Sequence, residues 1–456
     1  MSARVIIVGG GVAGLSAATF LSAARPDLEL LVLEASARAG GNVQSDREDG
    51  RVLDRAANGW LDNEPAMGRL LALAGLVPQP VGDGFGTRWI WADGLMQRAP
   101  LSPPAMIQTR LLSFGAKLRL LLEPFLPRGG SEDESVSGFV RRRLGQAAVD
   151  RLVGPMVAGV YGADPDQLSL KAAFPRMAEL EKEHRSLFIA MLRLRRGGAP
   201  PGLLHSLPDG AGGLPEALAA RLGDRLRTST PVTAVEPRRG RWLVHTAEGA
   251  EEADAVVLAA PAHATAPMLR GLDPELARAL EDIRYAPLSV VITASPRGAW
   301  RTDPHGFGVL FARGEAARAG IPGVLGTVFT STLFPNQARE GEVLLRTMIG
   351  GAASPEAAEQ DSQSLTHLTR RAHALCFGEE RVEPHFVRIY RHARAIPLYA
   401  PGHLGRVRSL RAGQTRYPGL FFIGNHTDGI GVKDCARQGE QASALVSGHL
   451  PPGAGG

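Results

Sequence analysis

The chain has 456 residues, 44% of them hydrophobic and only 21% charged, which gives it a large core and excludes a disordered protein. Its formal charge of +5 comes from arginine, since lysine occurs only at Lys117, Lys171, Lys182 and Lys433. No basic stripe is interleaved with aromatics, so nucleic acid is not an expected partner. Cys376 and Cys435 are far apart and in no metal-ligand spacing. They suit a reducing compartment, and neither a disulfide framework nor a metal site is expected.

The first forty residues are the most informative. Arg4–Val8 is an apolar run consistent with a buried parallel strand. Gly9, Gly11 and Gly14 supply G-x-G-x-x-G directly after it, with Gly10, Val12 and Ala13 between them, and small residues at helical spacing follow over 13–21. A second apolar run, 28–33, ends on Glu34. This is a strand–turn–helix–strand unit with an acid about twenty residues after the last glycine. Gly9 allows the turn, Gly11 lets backbone approach a pyrophosphate, and Gly14 lets helix and strand pack closely. The helix N-terminus then presents free N–H groups to the phosphates. Glu34 can accept from ribose hydroxyls and would repel a 2′-phosphate, which disfavours NADP.

The N-terminus leads straight into that strand and leaves no room for a signal peptide. No apolar run is long enough to span a bilayer. These features place the chain in the cytoplasm, with peripheral membrane contact left open.

Further on, 50–60 reads as a strand entering a loop and 64–76 as an amphipathic helix. Residues 88–91 read as a strand turning at Ala92-Asp93-Gly94. From 100 to 197 the pattern is helical. Leu111, Phe114, Leu118, Leu121, Leu122 and Phe125 recur at helical spacing among Arg110, Lys117 and Arg119. This pattern fits a helix lying on a membrane surface and equally one packed on its own domain. Ser131–Glu134 reads as a capping box, and Arg141–Arg143 as a solvated face. Residues 197–202 read as a linker. Strands are expected at 230–235, 242–246 and 255–260, in a return to the dinucleotide-binding domain where Val232 comes near the adenine end. Residues 288–294, 306–311, 323–330 and 343–349 read as a mostly antiparallel second sheet, and 354–377 as helix. The last buried strand, 420–424, runs through a glycine-bearing loop into a helix to about 445. That helix N-terminus is a second anion-facing set of free N–H groups, at the other end of the chain from the first.

Longer motifs carry a resemblance. VIIVGGGVAGLSAA with LLVLEASARAGG, EDESVSGFVRRRLG, GVYGADPDQLSLKAAFPRM, EKEHRSL, VVLAAPAHAT, GFGVLF, TSTLFP and FFIGNHTDGIGVKDCARQ resemble the oxygen-dependent protoporphyrinogen oxidases, bacterial type, of the FAD-binding amine-oxidase superfamily. The resemblance implies an α/β fold (α+β overall), with a Rossmann-like FAD-binding domain, an antiparallel-sheet substrate domain and an inserted helical domain. The expected division is 1–62 with 204–265 and 412–456 for FAD, 63–98 with 266–411 for substrate, and 99–203 for the helical, membrane-associating part.

The resemblance also implies the reaction, dehydrogenation of a porphyrinogen in two-electron steps. Molecular oxygen re-oxidises the flavin and hydrogen peroxide leaves. Carried over by position, FAD contacts fall on Gly9–Gly14, Glu34, Ala35, Asn42, Ala56, Ala57, Asn58, Gly59, Val232, Asn425, Ile430, Gly431 and Val432. Arg38, Gly41 and Gly424 join them from the fingerprint and the closing loop. Arg88 matches an arginine that grips a substrate propionate, Asn58 a polar residue beside flavin and substrate, and Leu310, Leu325 and Met348 apolar substrate-lining positions. Relatives usually have glycine–proline where this chain has Ala56-Ala57, and the wider superfamily often has arginine at Asn42. Coproporphyrinogen is the nearest rival substrate. Amine oxidation is disfavoured, because the expected second sheet contains no lysine. A non-catalytic FAD-binding scaffold is a rival of another class, and a homodimer stays open.

Overall fold

The computed structural model describes residues 2–127, 129–184, 186–187, 190, 202–378 and 382–452. A five-stranded parallel sheet forms one layer, in the order Leu226–Arg227, Glu29–Leu33, Arg4–Val8, Ala255–Leu258, Leu420–Phe422. Both faces are covered, so its strands read as apolar runs without alternation. The opening helix, Val12–Ala24, and the closing helix, Val432–His449, pack on the same face of this sheet. They approach so closely that a Cβ on Gly439 would lie 2.5 Å from the Ser16 Cβ. The two ends of the chain thus meet beside one sheet.

The second sheet has seven strands, in the order Phe386–Pro397, Tyr285–Pro296, Glu342–Gly350, Val324–Val328, Gly308–Phe311, Arg88–Ala92, Leu95–Arg98. All neighbours are antiparallel except Gly308–Phe311 with Arg88–Ala92. One face packs on helix Ser362–Phe377 through Val291, Val309, Leu345 and Ile349. The opposite face meets Leu53 of the hairpin Ser45–Asp54 and the loop that follows it, and helix Gly154–Tyr161 at Gly159. Residues paired across antiparallel strands share a face, so register puts Arg88, Leu310, Arg346 and Met348 together on that side. His392 joins them, opposite Leu288.

Helices fill much of the stretch from Pro103 to Glu183. The long apolar periodicity is broken there into Pro103–Gln108, Phe114–Leu121 and a 3-10 turn at Glu123–Phe125, because Ser113 caps a fresh start and Pro124 stops it. Ser135, not Ser131, caps helix Val136–Leu144, accepting from the Gly138 N–H at 3.0 Å. Glu134 is turned instead to Arg142. Arg143 is not on a solvated face. It is fully buried, bonded to the equally buried Glu123 and to the Leu126 and Pro127 carbonyls. The helix expected at 354–377 is split by Asp361, which caps Ser362–Phe377. Of the linker expected at 197–202, residues 197–201 lie outside the described residues, as does Arg185 of the EKEHRSL motif. Among the described residues, no helix is long and apolar enough to cross a membrane and no cluster could hold a metal.

Candidate active site

Four strands of the parallel sheet end together. Past them lie Gly9, Glu34, Ala259 and Gly424, on one crevice edge where open α/β sheets bind ligands. Gly9 has φ 112°, a conformation that favours glycine, and a Cβ there would lie 2.8 Å from the Ala260 nitrogen. A Cβ on Gly14 would lie 2.0 Å from the Gly9 oxygen. Gly11 differs. Its φ of −75° suits any residue, and an added Cβ would have nothing within 4 Å. The space in front of Gly11, at a helix N-terminus, is where an anionic ligand has room and donors.

The paired glycines close the crevice from the other side. Gly40 N–H donates to the Gly10 carbonyl at 2.7 Å, and Gly41 approaches Gly11. Glu34 is buried, its carboxylate accepting from Gly10 N–H at 2.6 Å and Ser36 N–H at 2.8 Å. It therefore shapes the glycine loop, with Ala35 exposed just beyond it. Val232 packs with Val8 and Leu33, and Thr230 N–H donates to the Glu34 carbonyl at 2.8 Å. Arg38 is held by Asp46, by Glu216 at 2.6 Å and by the Ser45 carbonyl, and Asn42 donates to the Ala395 carbonyl at 3.2 Å.

At the closing loop, Gly424 N–H donates to Gln438 Oε1 at 2.9 Å, and the Asn425 carbonyl accepts from Tyr399 Oη at 2.7 Å. Ile430 leads into Gly431, which caps the closing helix, and Val432 is buried in its first turn. His426 is buried with no hydrogen-bond partner on either ring nitrogen. Burial, reinforced by His403 and His263, pushes its pKa down to about 3 and keeps the ring neutral.

The loop 55–59 crosses between the two sheets. Asp54, just before it, is buried, bonded to Ser45, the Ala211 N–H and Gln337, and burial pushes its carboxyl pKa up. Arg346 reaches from the second sheet to the Ala56 carbonyl, and burial pulls its guanidinium pKa down while Asp54 raises it. Ala57 packs at the edge of the core, and Gly59 passes so close to the His205 carbonyl that a Cβ there would lie 2.3 Å from it. Asn58 is half-buried, and its carboxamide makes no hydrogen bond to a described residue, so it stays available to a ligand. Arg346 and His392 did not stand out in sequence. The signal for Arg346 is a charged residue inside an otherwise buried strand, whereas His392 lies on a strand that is mostly half-buried or exposed and carries no such signal.

Strands Gly308–Phe311, Val324–Val328 and Glu342–Gly350 are buried throughout except at one residue each: Leu310, Leu325 and Met348. Leu310 faces helix Gly154–Tyr161 at Gly159, where a Cβ would lie 2.8 Å from it. Gly162 ends that helix and its carbonyl accepts from Ala352 N–H at 2.7 Å. The GVYGAD segment is thus a wall that needs small residues to come this near the sheet. At the edge of the face, the Arg88 guanidinium sits 5.2 Å from the Phe85 ring and 5.3 Å from Phe307. No carboxylate among the described residues pairs with it, and partial desolvation lowers its pKa. It is a cation oriented by two rings and left open to an anion.

These residues fit a dinucleotide: open space before Gly11, helix N-terminal donors at both chain ends, and an unengaged Asn58 where the sheets meet. Residues 12–447 match the family model for flavin containing amine oxidoreductase, and the chain belongs to that family of FAD-binding oxidoreductases. Within it, the chain is 31% identical to protoporphyrinogen oxidase 2, chloroplastic/mitochondrial, of Arabidopsis thaliana, over 98% of this chain and 94% of that one. It is 27% identical to the coproporphyrinogen III oxidase of Bacillus subtilis (strain 168), over 96% and 97%. The crystal structure of an Exiguobacterium sp. 255-15 protein, provisionally assigned as a protoporphyrinogen oxidase, superposes with a TM-score of 0.84 at 26% identity, covering 99% of this chain and all of that one.

Proposed function

We propose that this chain binds FAD and oxidises protoporphyrinogen IX to protoporphyrin IX in haem and porphyrin biosynthesis, with oxygen as acceptor and hydrogen peroxide as product. The observation that carries the reading is that Leu310, Leu325 and Met348 alone break the burial of their strands, with an unpaired arginine at the edge of the face that holds Leu310 and Met348. An apolar wall with one rim cation suits a large, mostly apolar macrocycle bearing carboxylates.

When bound, FAD supplies the two-electron acceptor that oxygen regenerates. Gly9–Gly14 and the first-turn N–H groups of the opening helix would hold its pyrophosphate, Glu34 its ribose, and the closing helix from Gly431 its ring end. Leu310, Leu325 and Met348 exclude water from the macrocycle. Arg88 receives a propionate through its planar fork of donors. Asn58 orients the groups that meet above it. No lysine lies in the seven-stranded sheet, so the family's amine chemistry lacks a side chain that could orient water there.

Coproporphyrinogen III is the second reading, favoured by the near full-length likeness to the Bacillus subtilis protein. The test is turnover of each porphyrinogen in air by the purified yellow protein, followed by porphyrin fluorescence. The proposal expects the higher kcat/KM for protoporphyrinogen. The reverse ranking transfers the assignment to coproporphyrinogen, and no turnover of either leaves a flavin-binding scaffold. Arg88→Ala is expected to raise KM roughly tenfold or more with flavin content unchanged. Equal loss of flavin and substrate would remove its assigned role.

We further propose that the protein is cytoplasmic and rests on the membrane surface through its helical part. Phe114, Phe125, Ile107 and Leu121 are 84%, 77%, 66% and 63% exposed there. Such a cluster of large apolar side chains beside Arg110 and Lys117 matches an interfacial helix face.

A further inference from the structure

The segment carrying Asn58 has almost nothing of its own to fix its path. Residues 56–58 donate no main-chain hydrogen bond to another main-chain group among the described residues. The loop 55–59 contains no proline to stiffen it. Its attachment comes from the opposite sheet, through two consecutive carbonyls. His392 Nε2 lies 3.0 Å from the Arg55 carbonyl oxygen, and Arg346 Nη2 donates to the Ala56 carbonyl. A carbonyl only accepts, so His392 carries its proton on Nε2.

Register explains why these two side chains reach the loop. On one face of strand Glu342–Gly350 stand Leu344, Arg346 and Met348, each two residues on from the last. Leu344 lies beneath Leu53 of the hairpin that precedes the loop. Arg346 meets the loop itself. Met348 is the half-buried residue beyond it. His392, across Leu288 on the next strands, flanks the same place.

The anchor is rigid as well as near. Arg346 is 6% exposed, and its counter-charge Asp54 is 3% exposed and tied to three further groups. With so little water around it, the guanidinium has no solvent to exchange for the Ala56 carbonyl it holds. Arg346 thus ties the second sheet to the loop that follows the hairpin Ser45–Asp54.

We propose that Arg346 and His392 are positioning residues that hold two successive carbonyls of the 55–59 loop and so set where Asn58 stands over the flavin and the macrocycle. This rests on the function proposed above. Neither side chain touches the reacting atoms. They act through the loop, and the lost donor is felt as misplacement.

The test uses the full-length, FAD-loaded protein and two kinds of readout. Trypsin cuts after arginine, and Arg55 stands at the head of the loop. Arg346→Met and His392→Leu are each expected to speed cleavage after Arg55 and to change the visible circular dichroism of the bound flavin. With porphyrinogen as substrate, kcat should fall roughly tenfold to 100-fold while KM changes little. Arg346→Lys and His392→Gln keep a donor and should recover most of both effects. They also cover the case in which a larger change prevents folding. Unchanged protection of Arg55 in the Met and Leu variants overturns the proposal, as does a loss that the donor-keeping variants fail to recover. A wild-type protein that turns over no porphyrinogen overturns the substrate reading instead, and cleavage and dichroism then decide the positioning role alone.

Discussion

Two glycines three residues apart, Gly11 at the cap of the opening helix and Gly14 in its first turn, answer to different demands. Gly14 is required by the protein, because a Cβ would strike the Gly9 carbonyl. Gly11 is not required by the protein, which leaves the space before it empty, and under the proposed function that space holds the FAD pyrophosphate. Gly11→Ala should therefore leave the melting temperature of the flavin-free protein unchanged while weakening FAD binding roughly tenfold to 100-fold, as overpacking by a methyl does. Gly14→Ala should destabilise the flavin-free protein itself by about 1–3 kcal/mol. Thermal melts and FAD titration of both variants check this, and a Gly11 variant with wild-type FAD affinity would place the pyrophosphate elsewhere. A second residue-scale expectation concerns His373, bonded to Thr347 and buried beneath the second sheet. Burial lowers its pKa from 6.5 to about 3. Between those values the unfolded chain takes up a proton that the native protein refuses, so stability falls as pH drops through that window. His373→Leu should flatten this dependence by about 1.4 kcal/mol per pH unit between roughly pH 6 and 4, with little effect above pH 7. Thr347 keeps its partner Thr327, which limits collateral damage. Denaturation midpoints across that range read the slope, and an unchanged slope would mean the ring is protonated in the native state.

At the scale of elements, strands and helices with a dry environment on both sides were legible in the sequence. Arg4–Val8, Ala255–Leu258 and Leu420–Phe422 are apolar because helices or other strands cover both faces. Strand Phe386–Pro397 was not legible, since FVRIYRHARAIP carries arginine on an edge that stays largely exposed. Helix His403–Arg416 hides for the same reason. The basic run Arg141–Arg143 misled in the opposite direction. One-dimensional charge gives no sign that its third member turns inward to meet a glutamate twenty residues earlier. Removing one side of that pair should be costly. Arg143→Met leaves Glu123 buried without its cation and should cost about 3–5 kcal/mol. Joining it with Glu123→Leu should restore most of that loss, since an apolar pair needs no desolvation. Calorimetry of the three proteins decides, and a double variant no better than the single one would refute the pairing as the cause.

At the scale of the whole molecule, the closing helix packs against the opening one, and the second sheet reaches the loop 55–59 through Arg346 and His392. The exposed apolar cluster around Phe114 and Phe125 projects from the helical part, well separated in sequence from the glycine loops. The membrane proposal predicts that the purified protein co-sediments with vesicles containing anionic lipid. Phe114→Ser with Phe125→Ser should weaken partitioning roughly tenfold or more, at about 1.5–3 kcal/mol for each buried side chain. Porphyrinogen oxidation in detergent should be unchanged. Equal sedimentation of variant and wild type would remove the helical part as the contact.

The amino-acid sequence by itself determined the dinucleotide crevice, because its parts are consecutive: Gly9, Gly11, Gly14 and Glu34 act through local turn and helix geometry that a short stretch encodes. It also determined the family, through long motifs such as GVYGADPDQLSLKAAFPRM. The tertiary structure alone decided which side chains of the second sheet face the crevice and which meet across it. Arg346 reaches the loop because strand register places it between Leu344 and Met348, and His392 joins it from two strands away. Contacts of that kind depend on pairing between segments hundreds of residues apart, and no local spacing records them.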